Sequence, residues 1–363
     1  PRPHDLRHDR DRRIADNVTP SHVERCGELP DDLAGALREC GADPQAFWRA
    51  IDGQRSVAEI VECGREKHGE VDLRGVVRAL RSAADRLMIA LRYRRTFTTD
   101  DLLDGLRTLG IAEGDVLFVH SSLAAIGPVG GGADAVIDAL QRAVGRQGTL
   151  VLPTFTFSIV ERCPDEPYDP AATPSRVGVL TEVFRKRPGV IRSRQPSHGV
   201  AAWGRHAGEI VRDNHLYGPC DIRGAFGAMV RLDATIVFLG TGFGPNTTLH
   251  AVEDWAELPS MTPAAYHYID EKGRRQEIEY DKCPFQHRAF YTAELSEAER
   301  MLREAGLVRE ADVGLARTYA VPMRGMVEAA MDRLGRGDVD FMYCDNPDCV
   351  ECRENRRKIR ARQ

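Results

Sequence analysis

Two residues three positions apart, His250 and Glu253, carry the chemistry that this sequence indicates most directly. On a helix, residues at that spacing project from nearly the same face, so the carboxylate can orient the imidazole ring. A histidine whose pKa lies near neutrality accepts and returns a proton at ambient pH, as a general base must. The same pattern also fits a surface ion pair or two ligands of an incomplete metal site, and the spacing alone does not choose between them.

A second group of candidate residues follows a β-rich run and consists of His120, Ser121 and Ser122. After it come the glycine-rich sequence GPVGGG, which includes Gly131 and Gly132, and then a helical pattern. Strand, glycine loop and helix in this order commonly bind an anionic cofactor, because backbone N–H groups and the helix N-terminus can approach phosphates. The loop lacks the Lys-Ser/Thr ending of a P-loop and the spaced glycines of a dinucleotide fingerprint. A plain strand-to-helix turn is the alternative.

The C-terminal segment contains three cysteines, Cys344, Cys349 and Cys352. A structural zinc site needs four nitrogen or sulfur ligands, and Cys283 or His287 is a candidate for the fourth. The alternative is a set of free thiols. A cysteine nucleophile is less favoured, since no base lies beside any of the three cysteines in the sequence.

The composition excludes several classes of function. A net charge of −5 gives no basic excess of the kind that nucleic-acid-binding proteins show. No apolar run approaches the ~20 residues that span a bilayer, and the first residues are too charged for a secretion signal. Nine cysteines, an odd number, fit reduced thiols better than a disulfide framework. We therefore expect a soluble, cytoplasmic protein with no nucleic-acid or membrane partner.

The order of the patterns predicts four segments in this chain of 363 residues. They are a disordered or extended arm over 1–28, a compact helical domain over 29–96, a main core over 97–335 and a cysteine-containing basic tail over 336–363. Structure is expected to begin near Leu29, because the first two dozen residues are rich in charge and poor in apolar side chains.

The main core shows an alternation of strand and helix patterns. Strands are expected at 116–119, 149–152, 200–203 and 236–239. Helices are expected at 133–144, 180–187, 288–306 and 316–334. This alternation predicts an α/β fold, a layered α/β/α core with a central mixed sheet. Pockets in such folds open at the carboxyl ends of the strands, where His120, Thr154 and Thr241 follow strand patterns.

A series of motifs in the core resembles the aminoglycoside 3-N-acetyltransferase family over roughly 98–334. The motifs are, in chain order, HSSLAAIGPVGGG, PTFT, SRVGVL, PGVIRS, VAAWG and TTLHAVED. The resemblance implies an acyltransferase that moves an acetyl or related acyl group from coenzyme A to an amine. It also implies that two segments line the cofactor. Their residues are His120, Ser121, Ser122, Gly131, Gly132, Ser175, Arg176, Val177 and Gly178.

A phosphate of the cofactor would need a cationic partner, and Arg176 and Arg192 are the candidates. The resemblance implies that His250 is the general base and that Glu253 orients it or binds the amine. His215 matches a position near the acceptor site and is a second candidate for catalysis.

Three departures from the family pattern put an aminoglycoside acceptor in doubt. Gln195 replaces a histidine and Gly199 a serine in the segment around His198, and Gly224-Ala225 stands where a Ser-Pro pair is common. All of them lie in acceptor-facing segments, so they bear on the acceptor more than on acyl transfer.

The segment from Phe47 to Ile60 resembles the winged-helix peptide-recognition domains that accompany enzymes modifying ribosomally made peptides. Those domains bind a peptide as an added strand, which would make the acceptor a peptide or a carrier-bound amine. A lid or a dimerisation module is an equal alternative, and the chain has no concentrated basic recognition helix for DNA.

The hypothesis that follows is direct transfer from acetyl-CoA, or another acyl-CoA, to a small-molecule or peptide amine. Backbone donors near Ser122 would stabilise the oxyanion. Two alternatives stay open: a non-catalytic protein with the same fold, and a transferase whose donor is a carrier-protein thioester. A homo-oligomer is compatible with the sequence.

Overall fold

The chain divides into two compact units, Pro1–Phe97 and Thr98–Gln363, in the computed structural model. The described residues are 18–22, 31–40, 47, 57, 60, 76, 80, 89–93, 96–156, 166–258, 262–282, 297–343 and 349–361. The functional candidates described below all belong to the second unit.

The first unit contains a two-stranded antiparallel sheet and helical residues. Strand β1 (Val18–His22) pairs with β2 (Ile89–Tyr93), and helix α1 spans Asp31–Glu39. The further helical positions, all buried, are Phe47, Val57, Ile60, Val76 and Leu80. The strand β1 lies before Leu29, where structure was expected to begin. Its partner is about seventy residues away, so no local pattern indicates the pairing. The winged-helix resemblance stays a prediction.

A seven-stranded mixed sheet forms the centre of the second unit, as the alternation of patterns predicts. Its strands are β3 (Val116–Ser121), β4 (Thr149–Pro153), β5 (Ile191–Arg192), β6 (Val200–Gly204), β7 (Thr235–Leu239), β10 (Arg309–Val313) and β11 (Ala316–Pro322). Their order across the sheet is β10-β11-β7-β3-β4-β6-β5. Strand β3 runs parallel to both β4 and β7, and the outer strands pair antiparallel. The carboxyl ends of β3, β4 and β7 therefore meet at one edge.

Helices cover both faces of this sheet. One layer contains α2 (Thr99–Thr108), α4 (Gly132–Val144) and α5 (Val179–Phe184), in which α4 contacts both α2 and α5. The other layer shares one apolar cluster with alternate residues of the strands. Its helices are α6 (Ala207–Val211), α7 (Ala225–Arg231), α8 (Thr248–Trp255), α9 (Glu297–Glu304), α10 (Met323–Gly335) and α11 (Val350–Arg360). A short helix α3 (Leu123–Ile126) follows β3. The α/β/α prediction is confirmed.

A long hairpin outside the sheet was not expected from the sequence. Strands β8 (Thr262–Ile269) and β9 (Arg275–Lys282) pair antiparallel, and Gly273 in their turn has a φ of 72°. Tyr266 and Tyr268 of β8 form a buried cluster with Tyr168. The hairpin thus packs against the segment around Tyr168, which lies between β4 and α5.

The prediction of a single helix over 316–334 is wrong in its first part, because Ala316–Pro322 is strand β11 and the helix begins at Met323. Alanine and arginine suit a helix, but pairing with β7 on one side and β10 on the other decides the conformation. In the segment treated as a tail, Cys349, Cys352 and Ile359 of the α11 region are buried in the same apolar cluster as α8. Among the described residues, every helix is too short or too polar to cross a bilayer.

Candidate active site

His250 and Glu253 lie in direct contact on helix α8. The Nδ1 atom of His250 is 2.7 Å from Oε2 of Glu253, and both side chains are fully buried. Leu249 and Val252 of the same helix pack into the apolar cluster and hold the helix against the sheet. With Glu253 ionised, Nδ1 would donate to the carboxylate and Nε2 would be the basic nitrogen of the ring. The spacing therefore brings the imidazole and the carboxylate into direct contact.

His120 lies at the carboxyl end of β3, on the face of the sheet that α8 covers. Its ring stacks on Phe238 at 5.6 Å and meets the edge of Phe118 at 4.7 Å, and the residue is 4% exposed. Burial lowers the pKa of His120 to about 3. The imidazole is therefore neutral at any working pH and cannot serve as a base that titrates near neutrality.

The loop after His120 is held by backbone contacts. The N–H of Ser122 donates to the carbonyl of Leu239 at 2.9 Å, which ties the end of β3 to the end of β7. Gly131 and Gly132, at the start of α4, have φ values of 86° and 58°, in the left-handed region that favours glycine. No described heavy atom lies within 4 Å of a Cβ placed on Gly132, so a ligand can approach its backbone closely.

The second predicted cofactor segment, 175–178, precedes α5, which packs against α4. Ser175 is buried, and its Oγ lies 2.7 Å from Oγ1 of Thr181. Arg176 and Gly178 are exposed, while Val177 packs against the apolar cluster. A Cβ on Gly178 would likewise meet no described heavy atom within 4 Å. The segment offers exposed backbone and one exposed guanidinium.

Glu182 anchors this segment. Its carboxylate accepts hydrogen bonds from the backbone N–H of Ser175 and from Arg185, and it pairs with Lys186. Burial acts to raise the pKa of Glu182, but hydrogen bonds from Arg185, Lys186 and Ser175 outweigh it and lower the pKa to about 2. No feature of the sequence indicated this role.

The depressed pKa makes the contribution of Glu182 to stability dependent on pH. Glu182→Gln is expected to lower the free energy of unfolding at pH 7 by about 1 kcal/mol, a figure reduced for solvent screening. A carboxyl whose pKa falls on folding stabilises the protein above its unfolded pKa of 4.5 and loses that effect towards pH 2. Urea titrations at pH 7, 5, 4 and 3 should show the difference between variant and wild type shrinking as the pH falls. Asp104→Asn, which removes an exposed ion pair with Arg107, is the control and should change little.

Arg192 was one of the two candidates for a phosphate contact, but its guanidinium binds protein atoms. Four of its hydrogen bonds go to protein atoms: to Oγ1 and the carbonyl of Thr154, and to the carbonyls of Pro170 and Thr173. Its guanidinium also lies 5.2 Å from the ring centre of Tyr168. Arg192 therefore ties the end of β4 to the segment before α5, and Arg176 is the remaining candidate.

Arg192→Lys is expected to lower the free energy of unfolding by about 2–3 kcal/mol, because an ammonium cannot reproduce the planar fork. The affinity for a phosphate-bearing ligand should stay unchanged. Chemical denaturation and ligand titration of the same sample measure both quantities. Arg176→Lys serves as the control, since an exposed side chain should change stability by about 0.5 kcal/mol or less. A loss of ligand affinity without a loss of stability in Arg192→Lys would contradict the structural role.

His215 lies in a short 3-10 turn, Asn214–Leu216, beside the hairpin. Its ring meets the ring of Tyr268 at 5.1 Å. Burial first, and then the nearby positive charge of Arg194, lower the pKa of His215. The imidazole is therefore neutral at pH 7, and it borders a surface that carries both an aromatic ring and a cation.

The core of the second unit matches a known protein family. The model of the aminoglycoside 3-N-acetyltransferase family matches residues 118–335. The chain belongs to this family. It is similar to aminoglycoside N(3)-acetyltransferase IV of Salmonella sp, at 32% identity over 67% of this chain and 89% of the relative. It is also similar to aminoglycoside N(3)-acetyltransferase VII of Streptomyces paromomycinus, at 28% identity over 69% of this chain and 98% of the relative.

Solved structures of the aminoglycoside 3-N-acetyltransferase family share the fold. The apoenzyme of aminoglycoside acetyltransferase AAC(3)-IVa matches with a TM-score of 0.61 and 30% identity, over 73% of this chain and 98% of that one. A histidine-to-alanine variant of AAC(3)-IVa in complex with a gentamicin matches with a TM-score of 0.63 and the same coverage. The predicted family core is confirmed, and the protein is an acyltransferase of this family.

One departure from the family pattern has a structural reason in this chain. A Cβ on Gly224 would lie 2.8 Å from Oδ1 of Asn214, so this position needs glycine. The N–H of Ala225 donates to the same oxygen at 3.1 Å, which the proline of a Ser-Pro pair could not do. Gly224-Ala225 thus positions Asn214, the neighbour of His215.

The segment around His198 is held by its own side chains. Oε1 of Gln195 accepts hydrogen bonds from the backbone N–H groups of Ser197 and His198, and Nδ1 of His198 lies 3.0 Å from Oγ of Ser197. Both Gln195 and His198 are buried. Gln195, which departs from the family pattern, therefore has a local structural role as the acceptor of this turn.

The predicted zinc site receives no support. Cys283, His287 and Cys344 lie outside the described residues. Cys349 and Cys352 are buried thiols at the start of α11. Within the described ranges, no three histidine, cysteine or acidic side chains are grouped to hold a metal ion.

Proposed function

We propose that this protein is a coenzyme A-dependent N-acyltransferase that moves an acetyl group from acetyl-CoA to the amine of a small molecule. The buried contact between Nδ1 of His250 and Glu253 is the observation that carries the proposal. It supplies a base with one defined basic atom in a family of acetyltransferases. The pair needs no covalent intermediate, so the amine attacks the thioester directly.

The acceptor ammonium first releases one proton to solvent, which leaves a neutral amine. The nitrogen lone pair attacks the carbonyl carbon, and the carbonyl electrons move to the oxygen. As the carbon–nitrogen bond forms, Nε2 of His250 accepts the second proton that the nitrogen must lose, and Glu253 stabilises the imidazolium that results. When these electrons return from the oxygen to re-form the carbonyl bond, the carbon–sulfur bond breaks, and the leaving thiolate takes a proton from the imidazolium. The products are the amide and the free thiol of coenzyme A.

The donor would lie along the two glycine-containing segments. The N-terminus of α4, with Gly131 and Gly132, is a natural partner for the pyrophosphate, and Arg176 is the exposed cation nearest in sequence to Gly178. The open space beside Gly132 and Gly178 supports this placement, because a bound ligand can approach only where no Cβ intervenes. His120, Ser121, Ser122, Ser175 and Val177 complete the proposed set.

The acceptor would lie between His250 and the surface around His215. A histidine-to-alanine variant of AAC(3)-IVa has been crystallised with a gentamicin and with apramycin, so an aminoglycoside is the first acceptor class to test. His215, being neutral, would orient the acceptor by hydrogen bonding.

Thiol release from acetyl-CoA tests this function. We expect release that depends on an added amine, with gentamicin, apramycin and a short lysine peptide as the three acceptor arms. Acetyl-pantetheine in place of acetyl-CoA tests the alternative of a carrier-protein donor. Turnover with acetyl-CoA at a lower KM than with acetyl-pantetheine supports free coenzyme A as the donor. A protein that neither binds acetyl-CoA nor releases thiol with any amine would contradict the proposal. Binding of acetyl-CoA without thiol release would favour a non-catalytic binding protein.

A further inference from the structure

The ring of His120 contains a buried polar atom that no described residue satisfies. Its Nε2 is inaccessible to solvent and has no hydrogen-bond partner within the described part of the chain. Leaving such an atom unsatisfied destabilises the folded protein, and an apolar side chain would avoid this cost. Phe118 and Phe238 already form an aromatic environment on both sides of the ring. An imidazole at this position is therefore retained at a cost in stability.

Three more unsatisfied polar atoms lie in the segment from the end of β7 to the start of α8. They are Oγ1 of Thr241, Oδ1 of Asn246 and Oγ1 of Thr248, all buried and without a hydrogen-bond partner among the described residues. His120 pairs in register with Phe238 of β7, and this segment leads from β7 into α8. Polar atoms left unsatisfied on adjoining segments at the carboxyl edge of the sheet indicate a place that receives a polar group.

The proposed reaction needs a donor that the backbone at Ser122 does not provide. When the amine attacks, negative charge develops on the carbonyl oxygen, and donors aimed at that oxygen lower the barrier. The sequence suggested backbone donors near Ser122, but the N–H of Ser122 already donates to Leu239. The N–H of Ser122 is thus not free for this oxygen, and a side-chain donor at this corner of the sheet would supply the hydrogen bond that it lacks.

We propose that His120 donates a hydrogen bond from Nε2 to the carbonyl oxygen of the acyl group and stabilises the oxyanion. This inference rests on the proposed function. His120 neither gains nor loses a proton in the step, since the proton of the amine goes to His250 and then to the leaving thiolate. Because burial keeps the ring neutral, with a pKa of about 3, the hydrogen bond is a dipolar one that strengthens as charge develops on the oxygen.

The pair of variants His120→Phe and His120→Gln tests this role. Phenylalanine fills the aromatic environment without a donor, so the free energy of unfolding should be equal to or above that of the wild type. With His120→Phe, kcat should fall by about 10²–10³-fold, while KM for acetyl-CoA changes little. Glutamine restores an N–H donor, so kcat of His120→Gln should be at least about tenfold higher than kcat of His120→Phe. If the role of His120 were only structural, His120→Phe would be less stable than the wild type, and His120→Gln would not recover kcat.

A spectroscopic measurement separates this inference from the proposed function. The carbonyl stretch of isotope-labelled acetyl-CoA, bound without an acceptor, should lie at lower frequency in the wild type than in His120→Phe, because a hydrogen bond weakens the carbonyl bond. Equal frequencies with equal kcat would overturn the role of His120 and leave the acyltransferase intact. Failure of acetyl-CoA to bind the wild-type protein would overturn the proposed function, and this inference with it.

Discussion

His250→Gln is expected to lower kcat/KM for the amine by about 10²–10⁴-fold, the usual contribution of a positioned general base. Glutamine can still hydrogen-bond the carboxylate of Glu253, so the helix keeps its internal contact, but an amide does not accept a proton at neutral pH. The measurement is the initial rate of thiol release at saturating acetyl-CoA, with thermal unfolding of the same sample as the check on folding.

The control for this experiment is His206→Gln. His206 is partly exposed and lies 3.5 Å from Glu209, so it forms a histidine–glutamate pair at the same spacing on another helix. Its substitution should change kcat/KM by less than about twofold, because the majority of surface substitutions have small effects. A His250→Gln enzyme that is folded and retains more than a tenth of wild-type activity would exclude His250 as the base.

Gly240→Ala is expected to lower the free energy of unfolding by about 2–4 kcal/mol. Gly240 follows β7 and has a φ of 69°, which costs any residue with a Cβ. That Cβ would also lie 2.7 Å from Cβ of Ala125, 3.0 Å from Cβ of Ala316 and 3.3 Å from the carbonyl oxygen of Ser122. Gly240 therefore lets the chain after β7 pack closely against α3 and against the start of β11.

Gly306→Ala separates the two causes of this loss. Gly306 has a nearly equal φ of 67°, but no described atom lies within 4 Å of the added Cβ. It should therefore show the backbone cost alone, about 1–2 kcal/mol. Urea unfolding of both variants gives the comparison. Equal losses would show that the close contacts of Gly240 with Ala125 and Ala316 do not contribute to the loss of stability.

The sequence was sufficient for the parts of this molecule that depend on local pattern. The spacing of His250 and Glu253 indicated one helix face, and the structure places the two side chains 2.7 Å apart. The runs of apolar residues placed β3, β4, β6 and β7 within one or two residues, because strands buried on both faces read as continuous apolar segments. The alternation of strand and helix patterns predicted the layered α/β/α arrangement around them.

Features that depend on contacts between distant segments could not be predicted from local sequence patterns. Arg192 was one of two candidates for a phosphate contact, because no pattern shows that Thr154, Pro170 and Thr173 use its N–H groups. Strand β11 was taken for a helix, since its conformation is decided by β7, about eighty residues earlier. The isolation of the His120 imidazole in an aromatic environment likewise depends on Phe238, a residue of another strand.

Initial rates measured while acetyl-CoA and the amine are both varied test the central claim most directly. If the amine attacks the thioester with His250 as its base, both substrates must be bound together. Double-reciprocal plots should then give lines that intersect. Parallel lines would mean that the acyl group reaches the protein before the amine binds, and His250 would then activate a nucleophile of the enzyme instead of the amine.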